Sequence, residues 1–345
     1  MPEVLEPEVA LTRGHWVKLI CGASNQDLAS IEDLSGIFAL AGVHCIDAAA
    51  DPAVVAAIRR GFAWAVAQGA ALPWLMLSLS DGADPHFRKA WFDPRRCPIT
   101  CSRPCERVCP ALAIGVEATG EPGVLSERCY GCGRCTSACP EHLIEERGQV
   151  LAGDAVAPLL AQLRPDAVEL HTQPGRGKAF ADRVVQLVAS GVHLRRVAVS
   201  AGLEGTAQSA RQLAAELWQR FDVLRREGMS PLWQLDGRPM SGDVGAGTAA
   251  AAVALAAALL PLAPPGPVQL AGGTNAHTHA QLAARGPLRR QIAGVAFGGV
   301  ARRLLQPLLL EAQLRGRPLL ADGELWPRAL RLAQALVNPW LEQRQ

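Results

Sequence analysis

Lysine is scarce in this chain. There are three, Lys18, Lys89 and Lys178, and arginine carries the rest of the basic charge. No long block of like charge occurs and the net charge is +2, so there is no electrostatic basis for binding nucleic acid or an anionic membrane. Residues 1–12 are acidic and have no apolar centre, unlike a signal peptide. Long apolar runs are also missing, apart from residues 245–263. That stretch is mostly alanine, Pro261, Pro264 and Pro265 close it, and no basic flank marks a side, so it reads as a buried helix and not a membrane span. These absences place the chain among cytoplasmic proteins, where thiols stay reduced. No nucleophile–base pair and no pair of carboxylates for acid–base work can be picked out.

What the chain does have is cysteine in one place. Eight of its ten cysteines lie between Cys97 and Pro140, in two runs of four. The second run, Cys129, Cys132, Cys135 and Cys139-Pro140, has the C-x2-C-x2-C-x3-C-P spacing of bacterial two-cluster ferredoxins. Three close thiolates wrap one cubane, and the fourth, which is expected to open a short helix, ligates the other cluster. The crossing assigns Cys129, Cys132, Cys135 and Cys109 to one [4Fe–4S] cluster, and Cys97, Cys101, Cys105 and Cys139 to the other. The first run departs from the pattern, with gaps of three residues throughout, and Pro98 and Pro104 point to a rigid extended loop that absorbs the extra length. Gly131 and Gly133 suit tight backbone near inorganic sulfur. Disulfides would require an oxidising compartment. Structural zinc favours two separated C-x2-C pairs.

The rest of the chain alternates. Continuous apolar strands are expected at residues 16–22, 43–48, 73–80, 167–172, 196–200, 232–235, 268–270 and 292–297, with helices between them. Eight βα units indicate a (β/α)8 TIM-like barrel over residues 13–80 and 154–340, after a tail at 1–12. A doubly wound open parallel sheet is the alternative. The cysteine segment, residues 93–147, then becomes a ferredoxin-like insertion after strand 3, at the barrel mouth. Residues 81–92 read as loop.

Other candidate chemistry is sparser. Strands 7 and 8 end in the pairs Gly272-Gly273 and Gly298-Gly299, where such barrels bind phosphate or flavin phosphate, although glycine also suits tight turns. Asp236 and Arg238 follow strand 6 and form either a ligand clamp or a solvated ion pair. Gly175-Arg176-Gly177-Lys178 lacks the spacing of a phosphate loop and reads as a helix start with basic flanks. Cys21 and Cys45 fall inside strands as small hydrophobes. His171 ends strand 4, and His277 and His279 fall on different helix faces.

With the cysteine runs in view, the chain resembles the light-dependent-period family of cyanobacteria. The resemblance is carried by Gly14-His-Trp-Val-Lys-Leu-Ile-Cys-Gly-Ala-Ser-Asn25, Gly42-Val-His-Cys-Ile-Asp47, Asp84-Pro-His-Phe-Arg-Lys-Ala-Trp-Phe-Asp93 and Gln234-Leu-Asp-Gly-Arg-Pro-Met-Ser-Gly-Asp243. It implies an iron–sulfur clock-input protein that reports cellular redox state and associates with circadian-clock proteins, including a histidine kinase. The expected function is therefore redox sensing, with a quinone or another electron donor upstream. The alternative is an iron–sulfur flavoenzyme with FMN at the barrel mouth.

Overall fold

A computed structural model describes residues 5–21, 28–83, 87–109, 112–116, 122–126, 128–129, 133–148, 150–203, 206–238, 245 and 247–341. Eight parallel strands close into a barrel: β1 (Trp16–Ile20), β2 (Cys45–Ala49), β3 (Trp74–Ser80), β4 (Ala167–His171), β5 (Arg196–Ala201), β6 (Pro231–Asp236), β7 (Val268–Ala271) and β8 (Gly294–Phe297). Closure is decided at β1, which pairs with β2 (Lys18 opposite Cys45) and also with β8 (Trp16 opposite Gly294). An open sheet would leave both edges free, so the doubly wound alternative is excluded.

The strands bury both faces, and alternation sorts their residues into two cores. Val17, Leu19, Ile46, Leu77, Val168, Val199, Trp233 and Val295 point outward and join the main apolar cluster beneath the helices. Trp16, Cys45, Trp74, Met76, Ala167, Ala198 and Leu232 form a second cluster inside the lower barrel. Because neither face meets water, the strands read as mainly apolar runs, interrupted by single inward polar residues such as Lys18 and Asp47.

The helices follow local chemistry. Asp51 caps the helix Pro52–Ala67, accepting from the N–H groups of Ala53 (2.8 Å) and Val54 (3.3 Å). A Ser209/Gln212 capping box starts Ala210–Arg226. The alanine-rich helix runs only from Ala249 to Leu259, about 16 Å long against the ~30 Å of a bilayer core. Among the described residues no helix is long and apolar enough to cross a membrane. One end differs from the sequence reading. Pro7–Arg13, inside the expected tail, is a helix whose Leu11 plugs the lower barrel. Seven residues, about two turns, are too few for a periodic signal. The last helix runs to Leu341 through Pro339, because Trp340 is buried and its carbonyl bonds His15 Nδ1 (2.8 Å).

His44 also helps close the lower barrel. It is buried, stacks on Trp16 (5.9 Å, 16°), and its Nδ1 accepts from Val17 N–H (3.1 Å). Burial, reinforced by His15, pushes the imidazole down from 6.5 to about 4. The unfolded chain therefore takes up a proton that the folded chain refuses between those values, and stability falls as pH falls. This one group is worth on the order of 3 kcal/mol across the window. His44→Asn keeps an acceptor and should flatten the stability slope between pH 6.5 and 4.5 by about one proton, read from denaturant midpoints. An unchanged slope would assign that pH dependence elsewhere.

Candidate functional site

The cysteine segment lies in the chain between β3 and β4 and builds a small unit of its own. Its first strand, Arg88–Trp91, pairs antiparallel with its last, Glu145–Gly148. Arg88 binds Glu146 (2.6 Å), and the Arg147 guanidinium lies 3.0 Å over the Trp91 ring. A hairpin, Ile114–Val116 with Pro122–Val124, sits between the two cysteine runs. Sequence reading left residues 81–92 as loop because Arg-Lys-Ala-Trp shows no apolar alternation; pairing with a distant partner makes it a strand.

Within this unit the two halves repeat at a constant offset of 30 residues. Arg103 (φ 47°) and Gly133 (φ 75°) are left-handed residues preceding the helices Pro104–Val108 and Arg134–Ala138. Cys105 and Cys135 lie within these helices, and Cys109 and Cys139 end them in extended backbone. Leu112 (φ 48°) and His142 (φ 50°) then turn left-handed. The turns bring Ala113 N–H to Cys109 Sγ (3.2 Å) and Leu143 N–H to Cys139 Sγ (3.4 Å). The fourth cysteine of each run thus closes a short helix and does not open one. Pro104, with fixed φ and no N–H to satisfy, begins the first helix instead of stiffening an extended loop.

A cavity beside the first helix is lined by Cys97, Cys101, Cys105 and Cys139, with Phe92, Ile114, Leu143 and Ile144 as apolar wall. Cys139 comes from the second run, yet it faces the first three. Burial pushes the Cys97 and Cys105 thiols up, and neighbouring sulfurs add to it, Cys101 beside Cys97 and Cys139 beside both. Arg103 N–H donates to Cys101 Sγ (3.4 Å). Four thiols, an apolar wall and amides aimed at sulfur form a donor set that suits an iron–sulfur centre. Cys109, Cys129 and Cys135 belong to the same apolar cluster. Cys132 and Gly131 lie outside the described residues.

The barrel holds something sequence reading missed. Above the lower apolar layer, Lys18 is fully buried between two carboxylates. Its ammonium donates to Asp47 (3.1 Å), to Glu169, and to the Met76 sulfur (3.5 Å). Ser78 donates to Asp47 (2.7 Å), Gln234 to Glu169 (2.6 Å), Gln269 to Gln234 (2.8 Å) and the Trp16 indole to Gln269 (2.7 Å). Burial opposes the Lys18 charge, but Asp47 and Glu169 outweigh it and hold its pKa above the ordinary lysine value. Burial, resisted by Lys18, pushes Asp47 up to about 7. Glu169 is buried too, but Lys18 and His171 draw it well below the carboxylate range. At neutral pH the lumen thus holds an ammonium, one firm carboxylate and one that titrates. The signal was a lysine at an inward position of an apolar strand, with acids at inward positions of β2 and β4. Nothing local shows that those positions meet.

His171, at the top of β4, places Nε2 3.2 Å from Glu169 and turns its ring edge to Phe87 (5.3 Å), at the entry to the cysteine unit. Arg176 grips the same linker through Asp81 (3.3 Å) and Ala83 O (3.0 Å), and Arg183 holds Leu151 O (3.0 Å) at the exit. The Gly175–Lys178 stretch therefore starts a helix and anchors the cysteine unit.

The remaining candidates sit in close packing. Gly272 (φ 57°) and Gly273 (φ 87°) press on the turns after β6, and a Cβ at Gly272 would stand 2.4 Å from Arg238 O. Gly272 O accepts from Arg238 N–H (3.1 Å), while Asp236 accepts from Gln234 (3.3 Å). Gly298 precedes the helix Gly299–Leu314, where a Cβ would find ordinary contact with Ile20 at 3.6 Å. Gly272→Ala should cost about 2–3 kcal/mol through left-handed strain plus the clash. A denaturant midpoint within 0.5 kcal/mol of wild type, taking ~0.5 kcal/mol as an ordinary surface change, would contradict the close approach. Cys21 and Cys45 are fully buried, and burial pushes the Cys21 thiol up to about 12. His279 packs edge-on against Trp340 (5.3 Å), and Asn275 Oδ1 accepts from His277 N–H (2.9 Å).

Comparison with known proteins bears on both parts. A family model described as the LdpA Fe-S cluster-binding domain matches residues 97–150, and one described as the Light dependent period A C-terminal domain matches residues 159–339. A Synechococcus elongatus protein, Light dependent period A, is 46% identical over 338 residues, covering 96% of this chain and 93% of that protein. An arsenate respiratory reductase iron–sulfur subunit from a Shewanella species is 25% identical over 116 residues, covering 30% of this chain and 49% of the subunit. A solved Rhizobium etli pyruvate carboxylase aligns at 11% identity with TM-score 0.44, over 96% of this chain and 29% of that one.

Proposed function

Because the chain belongs to the Light dependent period A family, we propose that its iron–sulfur domain carries two [4Fe–4S] centres and serves as a cytoplasmic redox sensor for the circadian clock. The observation that carries the reading is the cavity where Cys139 joins Cys97, Cys101 and Cys105. Those four residues would hold one centre, and Cys109, Cys129, Cys132 and Cys135 the other. Bound there, each centre supplies one-electron chemistry. The chain's own residues hold it, exclude water with Phe92, Ile114, Leu143 and Ile144, and turn amides toward sulfur. Amide donors stabilise added negative charge on sulfur.

The unit touches the barrel through Phe87, Arg176 and Arg183, which gives a change of charge at the cysteines a physical route to the barrel surface. Clock proteins, including a histidine kinase, are the proposed readers of that change, and a quinone or another carrier is the proposed source of electrons. The close packing of Gly272 and Gly273 needs no flavin phosphate to explain it.

The test is anaerobic purification with iron, zinc and flavin counted, and electron paramagnetic resonance before and after reduction. About eight irons per chain and a signal that appears on reduction are expected for two cubanes. Zinc, or no metal, would remove the redox reading, and stoichiometric flavin released by acid would move it to an enzyme. A clock-kinase affinity that does not change on reduction would end the sensing role while leaving the clusters in place.

A further inference from the structure

The surface over the first cysteine set carries arginines and an exposed apolar side chain, with Glu141 an exposed carboxylate on the same cavity. Arg95 and Arg96 are exposed in the turn before Cys97, Arg107 is exposed beyond Cys105, and Ile99, between Cys97 and Cys101, is 100% exposed. Residues 94–109 carry four arginines and a single carboxylate, Glu106, which is taken up by Arg103 (3.2 Å). The counterpart 30 residues on, 124–139, carries only Arg128 and Arg134 against Glu127. Of the four thiols assigned to the first centre, Cys97 and Cys101 are half-buried and Cys105 and Cys139 buried; of the three described for the other, Cys109 is half-buried and Cys129 and Cys135 buried. Among the described residues, the first run thus brings half-buried thiols, excess positive charge and an aliphatic side chain standing free in water together.

We propose that this face docks a small acidic one-electron carrier protein and that electrons enter at the Cys97, Cys101, Cys105 and Cys139 centre. The inference rests on the iron–sulfur reading above. Transfer moves one electron: the carrier is oxidised by one, the centre is reduced by one, and no bond forms and no proton moves. Such encounters bury little surface, under about 1,200 Å², so they depend on charge steering, which raises the on-rate and fades with salt. Arg95, Arg96 and Arg107 supply the steering charge, and Ile99 supplies a small dry contact over the site. Neither a cationic carrier nor a neutral quinone would use the arginines.

The experiment uses the anaerobic full-length protein and a reduced plant-type [2Fe–2S] ferredoxin as the acidic carrier, followed by stopped flow across a salt series. Affinity for the oxidised carrier is measured by calorimetry. Arg95→Glu with Arg96→Glu should lower the second-order rate about tenfold or more at low salt, abolish its salt dependence and weaken binding. Arg95→Ala with Arg96→Ala should fall between, and Ile99→Asp should weaken binding without removing the salt slope. Excess dithionite should reduce all variants of equal iron content to the same extent. If dithionite reduces every variant alike and the charge-reversed protein also accepts electrons from the carrier at the wild-type rate and salt slope, docking here is overturned and the clusters stand. If wild type itself holds no iron, both readings are overturned.

Discussion

Cys139→Ser is expected to empty the centre of the preceding cysteine run and leave that of its own run filled. Iron in anaerobic protein should fall from about eight to about four per chain, as it should for Cys109→Ser. The pairing distinguishes crossed from uncrossed ligation. Cys139→Ser with Cys97→Ser should lose no more than either alone, because both serve one centre, whereas Cys139→Ser with Cys129→Ser should lose nearly all the iron. Uncrossed ligation reverses the two results. The geometric reason is the turn after each fourth cysteine: Leu112 and His142 at positive φ fold the following amide back onto Cys109 and Cys139. The helix before each of these residues carries it away from the loop that opened its own run.

The second large effect is expected in the barrel. Lys18→Met leaves Asp47 and Glu169 facing each other without a cation in a fully buried site. Breaking a buried pair from one side costs about 3–5 kcal/mol, and here two acids are orphaned, so the loss should reach the upper end. Adding Asp47→Asn and Glu169→Gln should restore most of it, since amides can bond one another and Gln234 without charge. A denaturant midpoint for Lys18→Met no lower than that of an exposed substitution such as Lys178→Met would contradict a charged lumen. The sign with pH is a further check. Asp47 holds its proton more tightly folded than unfolded, so its contribution is present below the ordinary carboxylate pKa of 3.8 and is lost as pH rises toward about 7. Lys18 works in the other part of the range, with its contribution fully present below 10.5 and lost only as pH rises through its raised folded value.

The two parts were legible to different degrees. Both cysteine runs are read from ligand spacing, because an iron–sulfur centre demands thiolates at short fixed intervals, and the structure sets Cys139 beside Cys97, Cys101 and Cys105. The strands follow from apolar runs bounded by turn residues, because a strand buried on both faces has no polar side to interrupt it. These are local constraints, and Trp16–Ile20, Trp74–Ser80 and Cys139-Pro140 state them in a few adjacent residues.

What only the tertiary structure decided is the meeting of residues that carry no local mark. Lys18, Asp47, Glu169, Gln234 and Gln269 sit on five strands, each a polar inward residue among apolar neighbours, and each alone reads as an exception. Parallel register in a closed barrel sets equivalent positions at one height. Closure therefore turns five exceptions into one hydrogen-bonded layer, from the Trp16 indole to the Ser78 hydroxyl. The same holds for Arg88–Trp91, which becomes a strand only because Glu145–Gly148 returns beside it. Sequence determined which pieces form and what metal chemistry they suit. The fold determined which charges share a site, because Coulomb interaction depends on separation in space and the chain's own order does not record that separation.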